Sequence, residues 1–205
     1  MNRSAPLICI LAAAVTALFA SPAVGEPFHH PFGEWREYNR DWLAVCPDEI
    51  KEDEADADYY YVSCFASAAT GALNDGGQSL YKLTLILNRL DGELDVAFSD
   101  QANDGASFDR SRPLRIRFGS DEPMFFSYGV DLETRYTTVN QYFVSDPQKR
   151  DALVEAMKAK ASATLTIPVA GGAPDATTEI RLSMQGVLAS LDFMNAYARR
   201  VEDYN

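Results

Sequence analysis

Between Leu80 and Ser99 apolar and polar side chains alternate at a period of two, reverse, and alternate again. Tyr81, Leu83, Leu85 and Leu87 fall on one face, and Lys82, Thr84 and Asn88 on the other. A helix repeats every 3.6 residues and cannot sort side chains this way, whereas a half-buried strand does so by its pleat. Between the two runs, Leu90-Asp91-Gly92-Glu93 supplies the Asp-Gly chemistry of a tight hairpin turn, which takes positive φ at little cost. The return strand, Glu93 to Ser99, turns Leu94, Val96 and Phe98 inward against Glu93, Asp95 and Ala97. A lone hairpin is marginal in water, so this one requires neighbouring strands and a covering layer.

The rest of the chain provides both. Phe32 to Cys46, carrying Trp35, Tyr38, Trp42, Leu43 and Val45, predicts one or two strands broken near Asn39-Arg40-Asp41. Tyr59 to Phe65 reads as a strand, as do Leu114 to Phe118, Met124 to Val130, Tyr136 to Val144, Ala163 to Val169 and Thr177 to Met184. Asn74 to Gly77, Gln101 to Arg112 and Ala170 to Asp175 are turns or polar loops. Glu26 to Pro31, with two prolines, predicts a lead-in of little fixed structure. The period changes at Asp146-Pro147, an N-cap followed by proline at the first helical position. Leu153, Val154 and Met157 line that helix to about Ala161. A last helix from Val187 to Val201 shows Val187, Leu191, Met194, Ala198 and Val201 on one stripe, with Arg199 and Arg200 at its negative end. With no repeat or linker, residues 26–205 predict a mainly β chain: a single antiparallel β-sandwich-like domain with two helices in the C-terminal half.

Ahead of it, Arg3 precedes an apolar run from Leu7 to Ala20 and then Ser21-Pro22-Ala23-Val24-Gly25. A charged start, an apolar stretch and small residues make a cleavable secretory signal over residues 1–25. The favoured cut precedes Glu26, with Ala20 and Ala23 as other acceptable cut positions. The run is shorter than the roughly 20 residues a membrane anchor needs. Export to the periplasm or beyond follows, without stable membrane insertion. Cys9 leaves with the signal, and no small residue precedes it as in a lipoprotein. Cys46 and Cys64 remain, and two cysteines in an oxidising compartment pair most simply. Two buried free thiols are the alternative, and a metal site would lack histidine partners.

The precursor carries a formal charge of −12, and loss of Arg3 leaves −13 on the mature chain. Such a field repels nucleic acid and anionic lipid and favours a basic protein partner. Asp48 to Asp58 concentrates the charge. It lacks the glycine turn and spaced ligands of a calcium loop, so it predicts a solvated segment able to meet a basic partner. His29 and His30 are the only histidines, sited near the mature start, where a copper or nickel ion would find no fixed geometry. Ser79-Leu80-Tyr81-Lys82 matches the S-x-x-K pattern of serine acyl enzymes, but strand periodicity sends the serine and lysine to opposite faces. No catalytic constellation, metal or cofactor is expected.

Phe32-Gly33-Glu34-Trp35, the Cys46 and Cys64-Phe65 pair, and Tyr142-Phe143-Val144 leading to Leu153, Met157 and Lys158 form one set of landmarks. Leu182-Ser183-Met184-Gln185-Gly186-Val187-Leu188-Ala189-Ser190-Leu191-Asp192 forms another. Together they resemble the invasion-associated locus B family of exported proteobacterial proteins. The likeness covers the two ends; an acidic insert lengthens the first cysteine spacing, and the central cysteines often seen in the family are absent. It implies a β-sandwich-like periplasmic or surface domain without known catalytic residues. The resulting expectation is an envelope protein acting by protein contact. The alternative is a small-ligand binder with a cavity beneath Tyr59, Tyr61, Phe125, Phe126 and Tyr128, rings that strands more often use for core and sheet-face packing. An enzyme ranks third.

Overall fold

The computed structural model describes residues 25–54, 59–69, 79–100, 108–136, 140–171, 173 and 175–198. The expected signal segment up to Val24, the turn at Asn74–Gly77, Asp56 and Asp58, and Arg199, Arg200 and Val201 lie outside the described residues. The chain forms β1 (Phe28–His30), β2 (Glu34–Asn39), β3 (Trp42–Pro47), β4 (Ser63–Ala69), β5 (Tyr81–Asn88) and β6 (Leu94–Asp100). It continues with β7 (Leu114–Phe118), β8 (Met124–Phe126), β9 (Leu132–Glu133), β10 (Gln141–Val144) and α1 (Pro147–Ala159). It closes with β11 (Ser162–Pro168), β12 (Thr177–Ser183) and α2 (Val187–Tyr197). Among the described residues all pairs of these strands are antiparallel, in an eight-stranded sheet ordered β1-β2-β3-β4-β5-β6-β10-β9 and a four-stranded sheet ordered β12-β11-β7-β8. The mainly β sandwich with two C-terminal helices is as expected.

One face of the large sheet builds the core. The register sets Trp42, Ala44 and Cys46 beside Cys64, Ala66 and Ala68, then Leu83, Leu85 and Leu87, then Val96 and Phe98. The small sheet covers them with Leu114, Ile116, Phe118, Leu165, Ile167 and Leu182, while α2 adds Val187, Leu191 and Met194. The Trp42 indole Nε1 donates to the Ser183 carbonyl at 2.9 Å, tying β3 to the end of β12. Asp146 caps α1 by accepting from the Gln148 and Lys149 amides at 2.8 and 3.1 Å, and Leu153, Val154 and Met157 are buried.

Several local expectations change. Glu26 to Pro31 is not loose: Phe28–His30 pairs with β2, because Phe28 stacks on Tyr38 and His29 packs edge-on to Trp35. Tyr60–Val62 is a 3-10 turn and the strand begins only at Ser63, since the tyrosines fold over the sheet instead of extending along it. There Tyr59, Phe65 and Tyr136 cover Ile86, Ala97 and Phe143. The outer face of the β5–β6 hairpin is therefore buried as well, and Thr84 is satisfied by Ser67 Oγ at 2.9 Å. The hairpin closes at Asn88 and Glu93, with Gly92 alone taking positive φ. Its loop is longer than a tight turn, and the Arg89 side chain turns inward from it. The expected strands at Met124 to Val130 and Tyr136 to Val144 shrink to Met124–Phe126 and Gln141–Val144.

Between β8 and β9 the chain turns around Asp131. Its carboxylate accepts from the Ser127 amide at 2.9 Å and pairs with the Lys149 ammonium of α1 at 2.8 Å. Burial alone would raise this carboxyl, but Lys149 and the amide outweigh it and hold it below the ordinary aspartate range. A depressed folded-state pKa stabilises above the unfolded value, about 3.9, and that stability is lost as pH falls through the lower folded value. Asp131→Asn is expected to cost about 1–2 kcal/mol near neutral pH. Urea unfolding should show the gap from the parent shrinking below about pH 4; a gap independent of pH would contradict the assignment.

Candidate functional site

The first strands meet at a corner held from both sides. Register carries Cys46 directly opposite Cys64, with Cα atoms 4.3 Å apart, and the two are joined by a disulfide. As β3 ends, the Asp48 amide donates to the Gly33 carbonyl at 2.9 Å, and its carboxylate lies 2.6 Å from His29 Nε2. Arg89, 1% exposed, reaches in from the hairpin loop and donates Nη1 to the carbonyls of Pro47 (2.8 Å) and Glu49 (3.3 Å). The acidic run thus leaves the sheet from a fixed point. A cleft of about 460 Å³ opens here, lined by His29, Trp35, Cys46, Asp48, Arg89 and Tyr197.

On the opposite face of β2 the Glu34 carboxylate is buried. Arg36 Nε donates to it at 2.5 Å, the Tyr60 hydroxyl donates to its other oxygen, and His30 Nδ1 lies 3.8 Å away. A buried carboxylate persists only when paired and hydrogen-bonded, and this one has both kinds of partner. Burial first, and then the hydrogen bond and charge of Glu34, push the Tyr60 phenol well above its usual range. Tyr60 therefore stays a donor and fastens the 60–62 turn to β2.

Around this anchored pair of strands lie most of the exposed rings. Of the seven large apolar side chains exposed among the described residues, four are Phe28, Phe32, Trp35 and Tyr38. Phe32 is 78% and Tyr38 54% exposed. Tyr38 stacks on Phe28 at 6.0 Å, and Phe28 leads to His30 (6.5 Å) and Phe32 (4.6 Å further on). Behind them His29, Trp35, Tyr197 and Phe193 form a second row at 5.4, 5.3 and 4.5 Å. β1 is the end strand, paired on one side only among the described residues. Pro27 and Pro31 flank it and limit backbone pairing to three residues.

The sequence-predicted residues fall elsewhere, apart from Cys46 and Cys64. Tyr59 lies on the outer face of the large sheet, against Phe65, Tyr136 and Phe143, and its hydroxyl accepts from Gln141 at 3.1 Å. Tyr61 sits beneath the Lys51 ammonium, 3.9 Å from the ring centre. Phe126 is buried between the sheets beside Phe98, whereas Phe125, its neighbour in β8, points to solvent. Tyr128 packs on Tyr142, with Arg110 stacked over both rings. The structure does not bring these five aromatics to one place. Ser79 precedes β5 and Lys82 lies on its outer face. His29 and His30 belong to β1, and among the described residues no group of three histidine, cysteine or acidic side chains is placed to hold a metal ion. Sequence reasoning missed the Glu34, Arg36 and Tyr60 cluster and, separately, the buried Arg89. The one signal present was an acid, Glu34, inside an aromatic strand run.

No protein-family model matches the chain, and no curated protein does. Among solved structures, the crystal structure of invasion associated protein B from Bartonella henselae is similar, with a TM-score of 0.51 and 15% sequence identity. The match covers 78% of this chain and 96% of that one. The likeness is one of fold.

Proposed function

We propose that this chain is an exported envelope protein that acts by protein contact, through the β1–β2 corner. The observation that carries the reading is the concentration of exposed rings on a hairpin whose Glu34 is bonded to Arg36 and Tyr60. Its β2 pairs with β3, the strand bridged to β4 by the disulfide and held at its end by Arg89. Exposed apolar area held rigidly in place is the usual mark of a recognition surface. The fold likeness to invasion associated protein B supports it, as does the disulfide, which suits an oxidising compartment. Among the described residues no helix is long and apolar enough to cross a membrane.

Affinity capture tests the reading. Mature protein, immobilised and exposed to envelope extract, should retain a discrete partner. The double variant Phe28→Lys, Phe32→Lys changes two solvent-facing rings and should lose it. Equal recovery by both proteins, or none by the parent, would contradict the proposal.

A further inference from the structure

We infer that the partner offers lysine or arginine side chains on an extended segment, and that the rings of the β1–β2 hairpin receive those cations. This deepens, and rests on, the reading of the corner as the contact surface. Three observations carry it. First, the acidic run begins at this corner: Asp48 is bonded to His29 and Gly33, and residues 48–58 hold seven acids against one lysine. The net charge of −12 has the same sign, so long-range attraction selects a basic partner and opposes a second copy of this chain. Second, Phe32 and Tyr38, 78% and 54% exposed, keep ring area open to solvent beside the faces that Arg36 and Phe28 already cover, and a cation is drawn to such a face by the ring quadrupole. The protein makes such contacts internally, with Lys51 3.9 Å from the Tyr61 ring centre and Arg36 5.8 Å from that of Phe32. Third, the prolines at either end of β1 permit only a short stretch of added strand. Side chains, rather than a long backbone ladder, must then supply the affinity, and sheet-to-sheet self-association is disfavoured.

The probe is a capped peptide of alternating arginine and valine, titrated into the mature protein with Trp fluorescence or calorimetry as readout. Matched peptides carry norleucine or glutamate in place of arginine. The arginine peptide should bind, the glutamate and norleucine peptides should not, and binding should weaken at roughly 1 M salt, where screening shortens to about 3 Å. The variant Phe28→Leu, Phe32→Leu keeps apolar bulk but removes the ring faces, and should weaken binding about fivefold. Phe32→Leu alone, at the more exposed position, guards against an effect on folding. Parent-like affinity in both leucine variants would overturn the inference, since general acidity would then suffice. Equal binding of the norleucine peptide would overturn it too, as would a dimer of the protein alone that the leucine variants dissolve. If capture succeeds and depends on Phe28 and Phe32 while the peptide results fail, only this inference falls. If capture fails, the contact reading itself falls.

Discussion

Replacing Cys46 and Cys64 together by alanine is expected to lower the unfolding free energy by about 3 kcal/mol. The thermal midpoint should fall by about 6–12 °C, given the sensitivity of a chain this long. The bridge joins facing positions on neighbouring strands across a separation of 18 residues, and most of the enclosed segment is the acidic run. Without the link, that self-repelling loop gains freedom in the unfolded chain, and folding must overcome more entropy to close it. Alanine is the proper substitute because both sites are fully buried, and serine would add a hydroxyl needing a partner. Denaturant unfolding of the parent and the double variant measures the difference. Equal stabilities would show that the strand register alone holds the corner.

Trp42→Ala should cost about 3–5 kcal/mol, the largest single loss expected here. Trp42 is 1% exposed, lies in the shared core and joins the two sheets through its indole donor. Truncation removes the packing and leaves the Ser183 carbonyl without that donor. Trp42→Phe separates the two contributions: it keeps much of the ring and loses the hydrogen bond, so about 1–3 kcal/mol is expected. If phenylalanine and alanine proved equally damaging, the bond between the sheets would dominate over packing. If both were mild, the tryptophan would not be part of the core described.

What was legible in the sequence was what depends on neighbours in sequence. The β5–β6 alternation from Tyr81 to Phe98, and the Asp146-Pro147 start of α1, are local patterns, and both elements form as expected. The Cys46–Cys64 bridge was readable from cysteine number together with the export expected from the first 25 residues. What was not legible depends on contacts far apart along the chain. β1 is strand only because Phe28 finds Tyr38, which composition around two prolines does not reveal. Tyr59 to Val62 looked extended because aromatic residues favour strands, yet burial over Ile86 and Phe143 outweighed that preference. Arg89 carried no signal beside the Leu90-Asp91-Gly92-Glu93 turn, because its burial depends on the distant carbonyls of Pro47 and Glu49. Glu34 was visible as the acid of an aromatic motif, but its role became apparent only when Tyr60, 26 residues later, closed over it. The grouping of exposed rings needed the hairpin itself.

Export with an intact bridge is tested most directly by intact-mass analysis of protein recovered from the cell envelope and alkylated under denaturing conditions without reductant. The predicted result is a chain beginning between Ser21 and Glu26 with neither Cys46 nor Cys64 alkylated. A cytosolic chain still beginning at Met1, with both thiols alkylated, would contradict it.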